Sequence, residues 1–350
     1  MEKLKILMIG PDRSVHGGIS GVVNNFYAAG LAEKVDLTYV GTMVDGSKIR
    51  KLLQAIKAYI RFCTKLSHSD IVHVNMASDV SYYRKSLFIR TAYWFHKKII
   101  IHQHGGDFQT FYHSQLSDKG KKRLRAVFTK ADAVIVLTSF WEDFFAQIVD
   151  KKKIVIIPNG ISLPKMSSRK YGTHKLLFLG RICKEKGIEE LLAVVAELSQ
   201  KYKDIQLYLG GIFEDESLKV LAEQHKETIT LLGWIEGSEK EKYLEFCDIY
   251  VLPSYFEGQP VSVLEAMSYA SCVVASRVGG IPQMIEDNES GLLIEPRDQD
   301  SLKKALITVL EDERLCTRLG MTAREKVQKE FSIDQCIEKL LSLYGKVLEY

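Results

Sequence analysis

Two apolar runs that stop at glycine, Leu4-Lys-Ile-Leu-Met-Ile-Gly10 and Lys175-Leu-Leu-Phe-Leu-Gly180, constrain this chain more than any other feature. Each has the length of a buried strand and passes through a loop into helical sequence. Strand, glycine loop, helix is how a parallel sheet with crossover helices begins, and the helix start can cradle phosphate. Because the pattern starts twice, the chain reads as two doubly wound α/β units. Further strand-like runs fall at 36–40, 70–74, 99–102, 133–137 and 154–157 in the first half. In the second they fall at 204–210, 228–232, 249–252 and 272–276, with helical segments between. The 350 residues suffice for two cores. The expected domains are 1–165 and 166–332, Rossmann-like units facing across a cleft, where ligands prefer to bind. The polar stretch 162–174 reads as the linker, and 333–350 as a final helix.

Composition narrows the class. The chain is 46% apolar and 26% charged, as ordinary globular proteins are. It has no run of about 18 uncharged apolar residues to span a membrane. Its N-terminus is too short and charged for a signal peptide. Six scattered cysteines with no C-x-x-C spacing read as buried free thiols in a reducing compartment. The net charge of +4 is unevenly shared: residues 1–165 carry 25 Lys and Arg against 13 Asp and Glu, and residues 166–350 carry 23 against 31. A basic half suits an anionic surface or ligand. The stretch Lys48–Leu66 is amphipathic with a basic polar face. That composition fits a helix on an anionic membrane surface, and equally a packed crossover helix with solvated lysines. Tyr82-Tyr83-Arg84-Lys85 and Trp94-Phe95-His96-Lys97-Lys98 add aromatic and basic residues, and membrane contact is the preferred reading.

The most informative segment is Val251-Leu-Pro-Ser-Tyr-Phe-Glu-Gly-Gln-Pro-Val-Ser-Val-Leu-Glu-Ala-Met267. A buried strand leads into a Pro/Ser/Gly loop carrying Glu257, then into a helix starting near Pro260 or Val261, with Ser262 or the loop residues as its cap. Glu265 lies about two turns beyond Glu257. Two carboxylate acceptors beside the free N–H groups of a helix start suit a polyhydroxyl ligand carrying phosphate. This segment resembles the signature of retaining glycosyltransferases of the GT4 family, which have the GT-B fold. The resemblance is clear over about residues 175–310, and over 1–170 it rests on element order and a few loops.

That resemblance implies roles for specific residues. Gly17 and Gly18, after the first strand, match a Gly-Gly loop that approaches the donor's diphosphate. Arg181 and Lys186, in Gly180-Arg-Ile-Cys-Lys-Glu-Lys-Gly187, match the pair that holds it, a guanidinium fork and a point charge. Glu265 would bind the ribose. Glu257, with the backbone of Gly258, Gln259 and Pro260, would hold the sugar, and Trp234 and Ile235 lie where relatives contact the base. His104, at a strand's carboxyl end, matches a histidine facing the donor sugar. His102-x-His104 is rejected as a metal pair on the ground that alternating strand residues face opposite ways and no third ligand is evident. The sequence departs from the family at Ala270 and Cys272, which replace Gly and Pro, and altered local geometry is expected there.

The expected activity is hexosyl transfer with retention, without metal or cofactor, from a nucleotide diphosphate sugar, UDP being the commonest base. The acceptor would be a hydroxyl of a glycan or polyprenyl-linked saccharide in surface polysaccharide assembly. The enzyme would be cytoplasmic, peripheral at the inner membrane face, and without a nucleic-acid partner. The leaving phosphate would take the acceptor's proton on the same face, with Glu257 and His104 positioning groups and stabilising charge. The last helix would cross back onto the N-terminal domain. The alternatives are a GT-B-fold nucleotide-sugar epimerase and a non-catalytic nucleotide-sugar-binding module.

Overall fold

A computed structural model describes residues 3–165 and 169–349. The described residues form two compact units, Met1–Ser162 with Ile333–Tyr350, and Leu163–Ser332. In the first unit the strands are β1 (Lys5–Gly10), β2 (Asp36–Gly41), β3 (Ile71–Met76), β4 (Lys98–Gln103), β5 (Ala133–Val136) and β6 (Ile154–Ile156). All pair in parallel in the order β2-β1-β3-β4-β5-β6. The second contains β7 (Lys175–Leu179), β8 (Gln206–Gly210), β9 (Ile229–Gly233), β10 (Ile249–Leu252), β11 (Cys272–Ser276) and β12 (Leu292–Ile294). Their order is β12-β11-β10-β7-β8-β9, again parallel, which is the strand order of dinucleotide-binding sheets. Continuous Val, Ile and Leu runs make these strands because both faces are covered by helices. The chain order reverses between β1 and β3 in one sheet and between β7 and β10 in the other.

The helix Ile333–Glu349 completes the first unit. Ile333 N–H donates to the Ile161 carbonyl (3.1 Å), and the buried Tyr344 hydroxyl lies 2.7 Å from Nδ1 of His73 in β3. Five cysteines are buried, Cys63 is exposed, and all six are free. Among the described residues no helix is long and apolar enough to cross a membrane.

Positions 166–168 of the expected linker lie outside the described residues; 169–174 are bound to the second unit rather than spanning solvent. Arg169 donates to the carbonyls of Leu244 (2.8 Å), Tyr269 (2.6 Å) and Cys247 and to the Ser271 hydroxyl (3.0 Å). Those carbonyls belong to the last turns and C-caps of the helices Gly237–Phe246 and Val261–Ser268. One guanidinium thus satisfies orphan acceptors of two helix C-termini. Tyr171 donates to the Ala270 carbonyl (2.9 Å), and Thr173 donates N–H and hydroxyl to Asp248 (both 2.9 Å). Ala270 itself takes the left-handed conformation (φ 59°). The turn therefore keeps a shape suited to glycine, at a cost of about 1 kcal/mol for alanine.

Arg169→Leu would leave three carbonyls without a donor. It is expected to lower the stability of the second unit by about 2–4 kcal/mol, read from urea unfolding followed by circular dichroism.

Candidate functional site

Open α/β sheets bind ligands outside the carboxyl ends of strands where chain order reverses. In the second unit that position is flanked by the loop after β7, Gly180 to Gly187, and the loop after β10, Pro253 to Pro260. The two loops touch at Gly187, which has φ 68° and where a Cβ would lie 2.1 Å from the Pro253 carbonyl oxygen. Only glycine permits both the conformation and the approach. Tyr255 N–H donates to the Glu185 carbonyl (2.9 Å), a second tie between the loops.

That contact brings Lys186 and Glu257 together. Lys186 Nζ lies 2.5 Å from Glu257 Oε1, and the Ser254 hydroxyl donates to the same oxygen (2.7 Å). The side chains are only 19% and 10% exposed, so the pair is poorly screened. From behind, Gly280 N–H donates to the Gly258 carbonyl (2.9 Å), and Gly279 (φ 53°) packs its α-carbon against the Glu257 carbonyl. Arg181 Nη1 is 3.1 Å from both carboxylate oxygens of Glu214, and Glu265 is 2.6 Å from Lys240 Nζ. Three cation–carboxylate pairs therefore line this edge. Such an edge can offer cations to an anionic ligand and carboxylates to hydroxyl donors.

Gly258 and Gln259 are buried beneath the helix Val261–Ser268. Pro260 is its N-cap, and no side chain caps it. The expected capping by Ser262 is not found, because Ser262 lies inside the first turn and the Pro260 carbonyl already accepts from Val263 and Leu264. Trp234, beyond β9, is partly buried and directs its indole N–H to Glu236 (3.4 Å), while Ile235 faces inward against Gly210.

In the first unit, Gly17 and Gly18 open the helix Gly18–Ala28 without a side-chain cap, and a Cβ at either would meet nothing within 4 Å. His104 follows β4 at the same carboxyl edge. Its Nε2 donates to Asn75 Oδ1 (2.9 Å), because the Asn75 amide donates through Nδ2 to the Ile9 carbonyl (3.2 Å). Nδ1 is then left as an acceptor. The rings of His102 and His104 stack 4.1 Å apart, which corrects the expectation that they face opposite ways: residues two apart in a strand share a face. Among the described residues no group of three or more His, Cys, Asp or Glu is placed to hold a metal ion. His102 Nδ1 is 3.2 Å from His73 Nε2, so His73, His102 and His104 form a column. Burial pushes His73 down to about 3, and burial with the neighbouring Lys85 and His73 charges pushes His104 to about 3. Burial, then His104 and His73, hold His102 well below the ordinary histidine value. Asn75, Ser254, Glu214 and Lys240 were not legible as site residues. Only Ser254, three residues before Glu257, carried a local signal.

Residues 164–326 match the family Glycosyl transferases group 1, and residues 27–164 match Glycosyltransferase Family 4. Both units thus resemble glycosyltransferases, and their two doubly wound sheets have the GT-B fold. An uncharacterized glycosyltransferase of Methanocaldococcus jannaschii is 27% identical over 280 residues, covering 75% of this chain and 71% of its own. The chain spans between 64% and 71% of the length of the first three curated relatives it matches. Among solved structures, sucrose-phosphate synthase from Thermosynechococcus elongatus superposes with a TM-score of 0.82 at 20% identity, over 99% of this chain and 100% of its own. An Anabaena protein solved with UDP and glucose superposes with a TM-score of 0.78 at 15% identity, over 98% and 100%. At these identities the superpositions establish the fold.

The histidine column makes stability depend on pH. An unfolded histidine binds its proton below about 6.5, whereas His73 stays neutral to about 3, so acidification favours the unfolded state throughout that window. Lowering the pH from 7.5 to 5.5 is expected to remove about 2–3 kcal/mol through His73 and His104 together, with His102 acting in the same direction. Urea midpoints at the two pH values would measure this, and a flat profile would exclude a neutral column.

Proposed function

We propose that this glycosyltransferase moves a hexosyl group, with retention of configuration, from a nucleoside diphosphate donor to a hydroxyl of a lipid-linked saccharide in surface polysaccharide assembly. The observation that carries the reading is the Lys186–Glu257 pair, with Arg181, at the strand reversal of a sheet with dinucleotide-binding order. Arg181 and Lys186, with the amides of Gly17 and Gly18, would neutralise the diphosphate as it leaves, the charge a divalent ion would otherwise meet. Glu265 would accept from the ribose. Glu257, with the backbone of Gly258, Gln259 and Pro260, would accept from and orient the sugar. Backbone of Trp234 and Ile235 would meet the base, UDP being favoured by the Anabaena relative's ligand. In the step itself the bond from the anomeric carbon to the diphosphate oxygen breaks. The acceptor oxygen bonds to the same face of that carbon, and its proton passes to the departing phosphate. His104, neutral with Nδ1 as an acceptor, would position a hydroxyl or soften developing charge.

A membrane-bound acceptor is favoured by the surface of the first unit. Only the second half of the helix Lys48–Leu66 packs inward, through Ala58, Phe62 and Leu66. Ile49, Leu52, Leu53, Ile56 and Ile60 are all more than half exposed, among Lys48, Arg50, Lys51, Lys57, Arg61 and Lys65. At helical spacing these five side chains share a face turned away from Ala58, Phe62 and Leu66, so an apolar stripe lies open to solvent. On the neighbouring helix, Asp79–Trp94, Val80, Tyr83, Leu87 and Trp94 are exposed too. Apolar side chains set among cations suit an anionic lipid interface.

Hydrolysis of UDP-, GDP-, ADP- and dTDP-sugars by the purified protein, with and without a membrane lipid extract, tests the activity. One donor should be stimulated by the extract, with the anomeric configuration of the product retained in NMR. Arg181→Ala is expected to lower that turnover by about a hundredfold or more. If no donor turns over, the transferase reading fails, and donor binding alone would leave a non-catalytic module. Separately, the protein should sediment with vesicles containing phosphatidylglycerol and not with purely zwitterionic ones. Leu52→Glu with Leu53→Glu is expected to weaken that binding by about tenfold or more, and retention of full binding would rule out this face.

A further inference from the structure

The helix Asp79–Trp94 buries Tyr82, Lys85, Phe88, Ile89, Thr91 and Ala92, so a lysine stands where the helical period calls for an apolar residue. Lys85 is 2% exposed, and its one hydrogen bond among the described residues is to the Ser81 hydroxyl (3.1 Å). Among the described residues no carboxylate pairs with it. Ser81 in turn accepts from the N–H of Ala77, the first residue beyond β3, which places the ammonium at the carboxyl edge of the first sheet, beside the β1–β3 reversal. Gly105 closes the same corner: a Cβ there would lie 3.0 Å from Ser78 N, 3.3 Å from Ala77 Cα and 3.2 Å from Gln103 Nε2. Gln103 is 3% exposed, and neither its amide nitrogen nor its oxygen has a hydrogen-bond partner among the described residues. Asp107, the carboxylate of this corner, accepts from Ser78 instead. Arg84 gives its guanidinium to the Thr42 carbonyl (3.3 Å).

A buried ammonium held by one neutral hydroxyl, at the same sheet edge as a buried amide without a hydrogen-bond partner among the described residues, is an incomplete polar site. Burial and the Arg84 charge push the Lys85 ammonium down to about 7, so an arriving anion would restore the charged form. We propose that Lys85 and Gln103 form a phosphoryl-binding subsite in the first unit, which takes the phosphate or pyrophosphate of the acceptor. This rests on the transferase reading for the identity of the ligand, but the subsite itself does not. The same chemistry would suit the donor's diphosphate, and the two sources give different results below.

The probe is inorganic pyrophosphate, titrated calorimetrically into full-length protein carrying Arg181→Ala and Lys186→Ala, which removes the cations of the second unit. Adding Lys85→Met, which keeps the volume and removes the charge, is expected to weaken pyrophosphate binding by about tenfold or more, with Lys85→Arg recovering part of it. Unchanged binding after Lys85→Met, in protein whose circular dichroism matches the parent, overturns the subsite whether or not the chain is a transferase. In an otherwise unaltered chain, Lys85→Met should raise the KM for a pyrophosphate-linked acceptor by about tenfold and leave nucleoside diphosphate affinity within about twofold. The reverse pattern assigns the subsite to the donor's diphosphate and overturns the acceptor assignment.

Discussion

The ion pair between Lys186 and Glu257 is the constraint on which the second unit's site depends. It joins two loops from strands that are adjacent in the sheet but about 70 residues apart in sequence. A close pair with little solvent around it is favourable only if the geometry is held and the spare lone pairs are satisfied. Ser254 supplies a hydrogen bond to the carboxylate. The Gly187–Pro253 contact fixes the distance between the loops, and the Gly279-Gly280 turn supports the Glu257 backbone. Each of these is a backbone or short-side-chain feature, so the pair is preorganised before a ligand arrives. The ligand-free site is close to electrically neutral, since Arg181 and Glu265 also have opposite charges beside them. On the proposed reading, affinity for a diphosphate sugar would come from exchanging one set of partners for another, not from neutralising a bare positive pocket.

What the sequence revealed and what it hid divides along the range of the interaction. Strands were legible because both faces of a parallel sheet are buried, so β1, β7 and β10 appear as unbroken apolar runs. The span from Val251 to Met267 was legible because strand, loop and helix are consecutive there. Arg169 was illegible: its acceptors at Leu244, Cys247, Tyr269 and Ser271 lie 75 to 102 residues away, and its surroundings read as a polar linker. The Ser262 cap failed although the helix begins where expected, because Ser262 lies inside the first turn, past the capping position. His102 and His104 were misjudged by applying the alternation of adjacent residues to a pair two apart. Ala270 was identified as a departure, and its backbone takes a left-handed turn, a conformation that glycine adopts most readily.

The first unit handles its positive charge in two ways. On the helix Lys48–Leu66 the cations are solvated and stand among exposed aliphatic side chains, so their cost is small and their reach is toward an interface. At the carboxyl edge of the sheet the titratable groups are buried, and burial keeps the histidines neutral and weakens the hold of Lys85 on its proton. Net charge by sequence half does not distinguish these cases, because it counts an exposed lysine and a buried one alike. Burial does, and it turns a general basic bias into one position with a chemical demand.

The path of the chain has a consequence for synthesis. The first unit is built from Met1–Ser162 and closed by Ile333–Tyr350, with the whole second unit inserted between them. On a ribosome the second unit is complete and can collapse on its own core while the first still lacks its last helix. Until Tyr344 reaches His73 and Ile333 bonds to Ile161, the first unit's buried histidines have a missing wall. The half with the exposed apolar helix is thus begun first and finished last. The nascent chain carries that surface, and the unfinished core beneath it, throughout elongation of the other half.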